Sequence, residues 1–180
     1  TGIGNSTTIN DGQVCRAGTF DGSGDYVEVP GIDEYLSTTA SLSFWINTLQ
    51  IGNNTAWNAP GIAGVEEVGG GNDIFWGYID ASGHIRIQKG NGRSAVSNQP
   101  INNGSWHHVV LTWDSSTGVV QVFVDGNLDN SATSETGDVS TAFSSIGLIK
   151  NNGVNFNGQL DELLVFGSVL SLNDVRTIYD

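Results

Sequence analysis

Hydrolysis of a glycosidic bond requires two carboxyl groups that flank it together, so a hydrolytic β-strand carries acidic residues on one face, as in Glu-x-Asp-x-x-Glu. No such run occurs in this sequence. Glu66-Glu67 and Asp161-Glu162 are adjacent pairs, and neighbours on a strand point to opposite faces of the sheet. The same alternation separates the imidazoles in Trp106-His107-His108, which therefore cannot chelate one ion and read as packed, hydrogen-bonded residues. His84, beside a turn, reads as surface. Cys15 is the single cysteine, with no local base to activate it; a bridge to sequence outside the chain and a free or buried thiol are both open. No Ser-His-Asp signature, P-loop or zinc-ligand spacing is present. The residues argue for a protein that is not an enzyme.

For binding, the informative residues are aromatic planes that can stack on a sugar ring, flanked by amides or carboxylates. Trp57 fits best. It sits in Gly52-Asn53-Asn54-Thr55-Ala56-Trp57-Asn58-Ala59-Pro60, a polar loop in which burial is not obligatory. Trp76 and Tyr78 are further candidates for ligand contact; strand alternation puts them on one face with Ile74, a mixed face that core packing also explains.

These side chains must be positioned by strands. Apolar and polar residues alternate with a period of two, predicting strands near 13–20, 26–29, 41–48, 61–66, 73–80, 84–89, 95–99, 106–114, 119–124, 128–133, 144–150 and 156–166. Clusters of Gly, Asn, Asp and Ser separate them, and Asp125-Gly126 after Val119–Val124 is suited to a tight type I′ hairpin turn. Helical spacing appears only in Leu172, Val175, Ile178 and Tyr179, behind a capping signal from Ser171 and Asp174. The expected fold is all-β: a sandwich of two antiparallel sheets with one short C-terminal helix, residues 1–180 forming one domain.

Composition narrows the partners. The 180 residues hold 19 Asp plus Glu against 6 Lys plus Arg, a formal net charge of −13, which repels phosphate backbones and anionic headgroups. Nucleic acid and membrane insertion are excluded as expectations. The absence of methionine and of a long apolar run suggests a piece of a larger, secreted parent chain.

Four segments in order, Phe20-Asp21-Gly22-Ser23-Gly24-Asp25-Tyr26-Val27, Ser43-Phe44-Trp45-Ile46, residues 106–114 from Trp106 to Asp114, and Gly158-Gln159-Leu160-Asp161-Glu162-Leu163, resemble the laminin G-like jelly rolls of the concanavalin A-like lectin and glucanase superfamily. The stretch from Pro60 through Tyr78 resembles modules of bacterial surface and pilus-associated proteins of the MshQ type. The resemblance implies an extracellular or cell-surface module that recognises glycans. A structural or protein-interaction module of a pilus or adhesin is the alternative, and a hydrolase comes third.

The resemblance also implies that the first and last strands lie side by side. That would let Asp21, Asp25 and Asp161, with carbonyls of the Gly22-Ser23-Gly24 turn, hold one structural calcium ion; the competing reading makes Asp21 an Asx-turn residue. Up-and-down strand order puts turns 49–60, 81–83, 100–105 and 151–155 at one end. Turns 67–72, 90–94, 115–118 and 134–143 lie at the other, where Glu67, Asn72, Asn91, Arg93 and Asp138 form a rival polar site. Glycosylation patterns occur at Asn5, Asn53 and Asn103.

Overall fold

The computed structural model describes residues 1–4, 6–9 and 12–180; the glycosylation pattern at Asn5 lies outside them. In chain order the strands are β1 (Gly2–Ile3), β2 (Thr7–Ile9), β3 (Ala17–Asp21), β4 (Tyr26–Glu28), β5 (Ala40–Asn47), β6 (Ala63–Val65), β7 (Ile74–Ile79), β8 (Ile85–Lys89), β9 (Ala95–Val96), β10 (His107–Trp113), β11 (Val119–Val124), β12 (Asn127–Thr133), β13 (Ser145–Ile146) and β14 (Asn157–Phe166). Among the described residues, helix is confined to α1 (Asp33–Leu36), a 3₁₀ turn (Ala56–Asn58) and α2 (Leu172–Tyr179).

One layer is a seven-stranded antiparallel sheet in the order β12-β11-β10-β5-β14-β3-β2. The other layer departs from the expected single sheet, being split into β6-β7-β8-β9 and β1-β4-β13. The break falls where residues 147–150 leave β13 and run beside β6: Gly147 N–H donates to the Ile62 carbonyl and Lys150 N–H to that of Gly64, with a parallel bridge between Val65 and Lys150. Gly147 has φ +89° and its would-be Cβ lies 2.7 Å from the Phe20 ring, so residues 144–150 give one short strand and a bend.

Between the layers lies the main core. Leu42, Phe44 and Ile46 of β5 meet Val109, Leu111 and Trp113 of β10, with Ile74, Trp76, Ile85 and Ile87 from the other layer. His107 and His108 diverge as the alternation requires. His108 is buried on the outer face, hydrogen-bonded to Ser43 Oγ at 2.9 Å and packed by the rings of Trp45 and Tyr179; burial pushes its pKa down against the pull of Asp125. The hairpin turn has φ 48° at Asp125 and 75° at Gly126, the left-handed pair of a type I′ turn. Helix α2 carries the capping box between Ser171 and Asp174 and packs Val175 over Val110 and Phe123.

Gly77 changes the reading of its strand. It sits at a bulge in the β7–β8 ladder with φ +77°, and the extra residue reverses the alternation. Ile74, Trp76 and Ile79 therefore enter the main core, while Phe75 and Tyr78 face outward. That outer face is covered too. Residues 49–60 run back along it as a strap, with Gly52 N–H donating to the Asp80 carbonyl, Asn53 N–H to that of Ile79, and Ile79 N–H to that of Pro60. Ala56 and Ala59 of the strap close over Phe75, Tyr78 and Ile149.

Candidate functional site: an aromatic and acidic cleft

The strap delivers Trp57 to a cleft. Within its 3₁₀ turn, Ala56 and Ala59 face the outer apolar cluster, which turns the intervening Trp57 to solvent at 48% exposure. A cleft of about 290 Å³ is lined by Trp57, Glu66, Glu67, Gly69, Gly70, Asp73 and Asn91.

Loop 66–73 forms the acidic wall, and its shape is set internally. Asp73 Oδ1 accepts the Glu67 N–H at 2.6 Å, Gly70 N–H bonds the Glu67 carbonyl and Asp73 N–H that of Gly70. Lys89, itself buried, donates from Nζ to the Gly71 carbonyl at 2.8 Å. Asn91 comes from the β8–β9 turn, its N–H on Glu135 Oε1 and its amide on the Gly69 carbonyl. Asn151 Nδ2 spans the Glu66 carbonyl and Glu67 Oε1.

Asp73 is 3% exposed. Burial raises its pKa above the ordinary carboxylate value; the Glu67 N–H opposes that rise, Glu66 and Glu67 add to it, and Lys89 opposes it. A carboxyl with a raised folded-state pKa contributes stability that is complete at acid pH and lost as pH climbs through that raised value. Asp73→Asn, which keeps the acceptor for Glu67 N–H without the charge, is expected to melt higher than the wild type at neutral pH. The advantage should shrink below the ordinary Asp range; an advantage independent of pH, measured by melting from pH 3 to 7, rules the account out.

The sequence placed Trp57 and the Glu67/Asn91 group at opposite ends of the sandwich, and the structure brings them into one cleft. Asn72 and Asp138 are elsewhere: Asn72 bonds Ser140 and Thr141, while Asp138 lies beside Ser140 and Thr141 in a separate depression. Trp76 and Tyr78 need correction as ligand contacts. They are 0% and 1% exposed, with the Trp76 indole N–H on the Leu36 carbonyl at 3.0 Å and the Tyr78 hydroxyl on Gln88. The Gly77 bulge puts them on opposite faces, both covered.

The expected calcium ligands are not assembled either. Asp21 pairs in register with Asn157, leaving Asp161 four residues further along β14, about 13 Å away, whereas calcium–oxygen bonds are about 2.3–2.6 Å. Each carboxylate has another task. Asp21 Oδ1 accepts the Ser23 N–H at 2.7 Å, the Asx-turn arrangement. Asp25 is buried, with Oδ2 accepting the Asp21 N–H. Asp161 accepts the N–H groups of Val14 and Glu162, both at 2.9 Å, and so ties the N-terminal segment to β14. Among the described residues no three His, Cys, Asp or Glu side chains gather to hold a metal.

The molecule is a lectin-like jelly roll whose open cleft sets an indole against carboxylates. The chain belongs to the concanavalin A-like lectin/glucanases superfamily, whose laminin G profile matches residues 21–176. Over 101 residues it is 32% identical to the sushi, von Willebrand factor type A, EGF and pentraxin domain-containing protein 1 of Rattus norvegicus, covering 49% of this chain and 3% of that protein. Domain 4 of AbnA, a GH43 extracellular arabinanase of Geobacillus stearothermophilus solved with arabinotriose, matches with TM-score 0.71 and 19% identity over 98% of this chain and 82% of that one. The binding domain of Paraclostridial Mosquitocidal Protein 1 matches with TM-score 0.66 and 14% identity over 98% and 46% of the two chains. At such identities these structures establish the fold. No helix among the described residues is long and apolar enough to cross a membrane.

Proposed function

We propose that this is a non-catalytic, extracellular carbohydrate-binding module of a larger chain, with the Trp57 cleft as its sugar site. The carrying observation is the half-exposed Trp57 indole opposite Glu66, Glu67, Asp73 and Asn91. An indole face stacks on the C–H face of a pyranose while carboxylates and an amide accept and donate to its hydroxyls. The arabinotriose complex of the AbnA domain supports carbohydrate as the ligand class for this fold. The extracellular setting is supported by the same relative.

Catalysis lacks its carboxylate pair on one strand. In the cleft, Glu66 and Glu67 follow one another outside the strands and Asp73 Oδ1 is engaged by the Glu67 N–H, so the cleft lacks the strand-borne Glu-x-Asp-x-x-Glu arrangement of acid and nucleophile. The proposal expects Trp57→Ala to weaken oligosaccharide binding several-fold while leaving the melting temperature close to that of the wild type, because a solvent-facing side chain leaves no cavity. Calorimetric titration and thermal melts on the same protein check it. Unchanged affinity, or a large loss of stability, would count against the site.

A further inference from the structure

The charge of the cleft, taken with its reading as a sugar site, bears on which sugar it admits. Glu66, Glu67 and Asp73 line it, and neither Lys nor Arg does. Asp73 is 97% buried by its 3% exposure, yet only its Oδ1 is hydrogen-bonded, to the Glu67 N–H; Oδ2 has no hydrogen-bond partner on a side chain that lines the cleft. Among the described residues Asp73 Oδ2 is not one of the polar atoms sealed from solvent without a partner, so it opens on the cleft. Lys89, whose charge acts on Asp73, donates its Nζ to the Gly71 carbonyl rather than to the carboxylate. Two amides also reach the acidic wall: Asn91 Nδ2 donates to the Gly69 carbonyl, and Asn151 Nδ2 donates to the Glu66 carbonyl and to Glu67 Oε1, the last at 3.3 Å.

These groups complement a ligand with a positive donor beside a stackable ring. An ammonium supplies several donors to Asp73 Oδ2 and the glutamates as charge-assisted hydrogen bonds, and the electron-rich indole face of Trp57 favours a cation beside it. A carboxylated or sulfated sugar meets like charges from Glu66, Glu67 and Asp73. We propose that the cleft selects a hexosamine with a free amine, its ring on Trp57 and its ammonium against Asp73 and the glutamates, over the N-acetylated sugar and over anionic sugars. The inference rests on the Trp57 cleft being the sugar site.

The test titrates the protein with glucosamine oligomers, N-acetylglucosamine oligomers of the same length, oligogalacturonate and a lysine-rich peptide, at a pH where the amines are protonated. The amine oligomer is expected to bind about tenfold more tightly than its N-acetylated form, as for a hydrogen bond to a charged partner, and oligogalacturonate not measurably. Asp73→Asn should bring the ratio of the first two towards unity. That substitution removes one of nineteen acidic side chains, so general attraction to an acidic protein would leave the ratio almost intact and overturn the proposal. Trp57-dependent binding with equal affinity for amine and N-acetyl oligomers also overturns it, while leaving the glycan reading in place. Absence of any Trp57-dependent sugar binding defeats both. A lysine-rich peptide that binds as tightly as the amine oligomer, unaffected by Trp57→Ala, overturns the sugar specificity.

Discussion

Trp76→Ala is expected to remove about 3–5 kcal/mol of unfolding free energy, the cost of emptying a large aromatic site in a packed core. The residue is fully buried between the layers with Ile74, Ile79 and the β5 and β10 side chains. A second loss adds to the cavity. The Trp76 indole N–H bonds the Leu36 carbonyl at 3.0 Å, in the last residue of α1, so truncation strands a buried acceptor. Typical domains hold only about 5–15 kcal/mol in total, and the variant should unfold at much lower denaturant concentration. Trp76→Phe, keeping most of the ring but not the donor, should lose less. Equal, small losses for Trp76→Ala and Trp57→Ala in urea titrations would contradict the assignment of one tryptophan to the core and the other to the surface.

The second large effect is expected at a residue remote from the cleft. Gly52 is where the strap pairs with the end of β7, and a Cβ added there would sit on the Ile79 carbonyl oxygen, well inside van der Waals contact. Backbone cannot move aside as a side-chain tip can. Gly52→Ala should therefore lift the strap, break the bonds from Gly52 N–H to Asp80 and from Asn53 N–H to Ile79, and loosen the cover over Phe75 and Tyr78. A loss of about 3 kcal/mol is expected, in the upper range for single substitutions. Because Trp57 rides on the same strap, sugar affinity should fall as well. Amide hydrogen exchange gives a direct readout: the amides of Gly52 and Asn53 should lose protection before those of β5 or β10. Retained protection and unchanged affinity would show that the strap does not position Trp57.

Much of the fold is legible in the residues because its signals are local. Period-two alternation places β5, β7, β10, β11 and β14 within a residue or so, Asp125-Gly126 specifies its turn through backbone sterics, and Ser171 with Asp174 caps α2. The short N-terminal strands and α1 were not foreseen: β1 and β2 are two and three residues long, and α1 is a single turn without a side-chain cap. Such short pieces carry too few side chains to show a period.

The sequence by itself determined the layered all-β class, the acidic net charge and the divergence of His107 from His108, and it left Trp57 free to face solvent without requiring it. Tertiary structure alone decided the rest. Strand alternation assigned Trp76 and Tyr78 to one face, and the left-handed bend at Gly77 reversed it, which no pattern count reveals because glycine is compatible with either course. Lateral offset along the β3–β14 ladder separated Asp21 from Asp161, since adjacency of strands does not specify register. The path of residues 49–60 brought Trp57 to Glu66, Glu67, Asp73 and Asn91 from the far end of the sandwich. A loop's course depends on the surface it packs against, here the apolar outer face of Phe75, Tyr78 and Ile149, and that surface exists only once the sheet has formed.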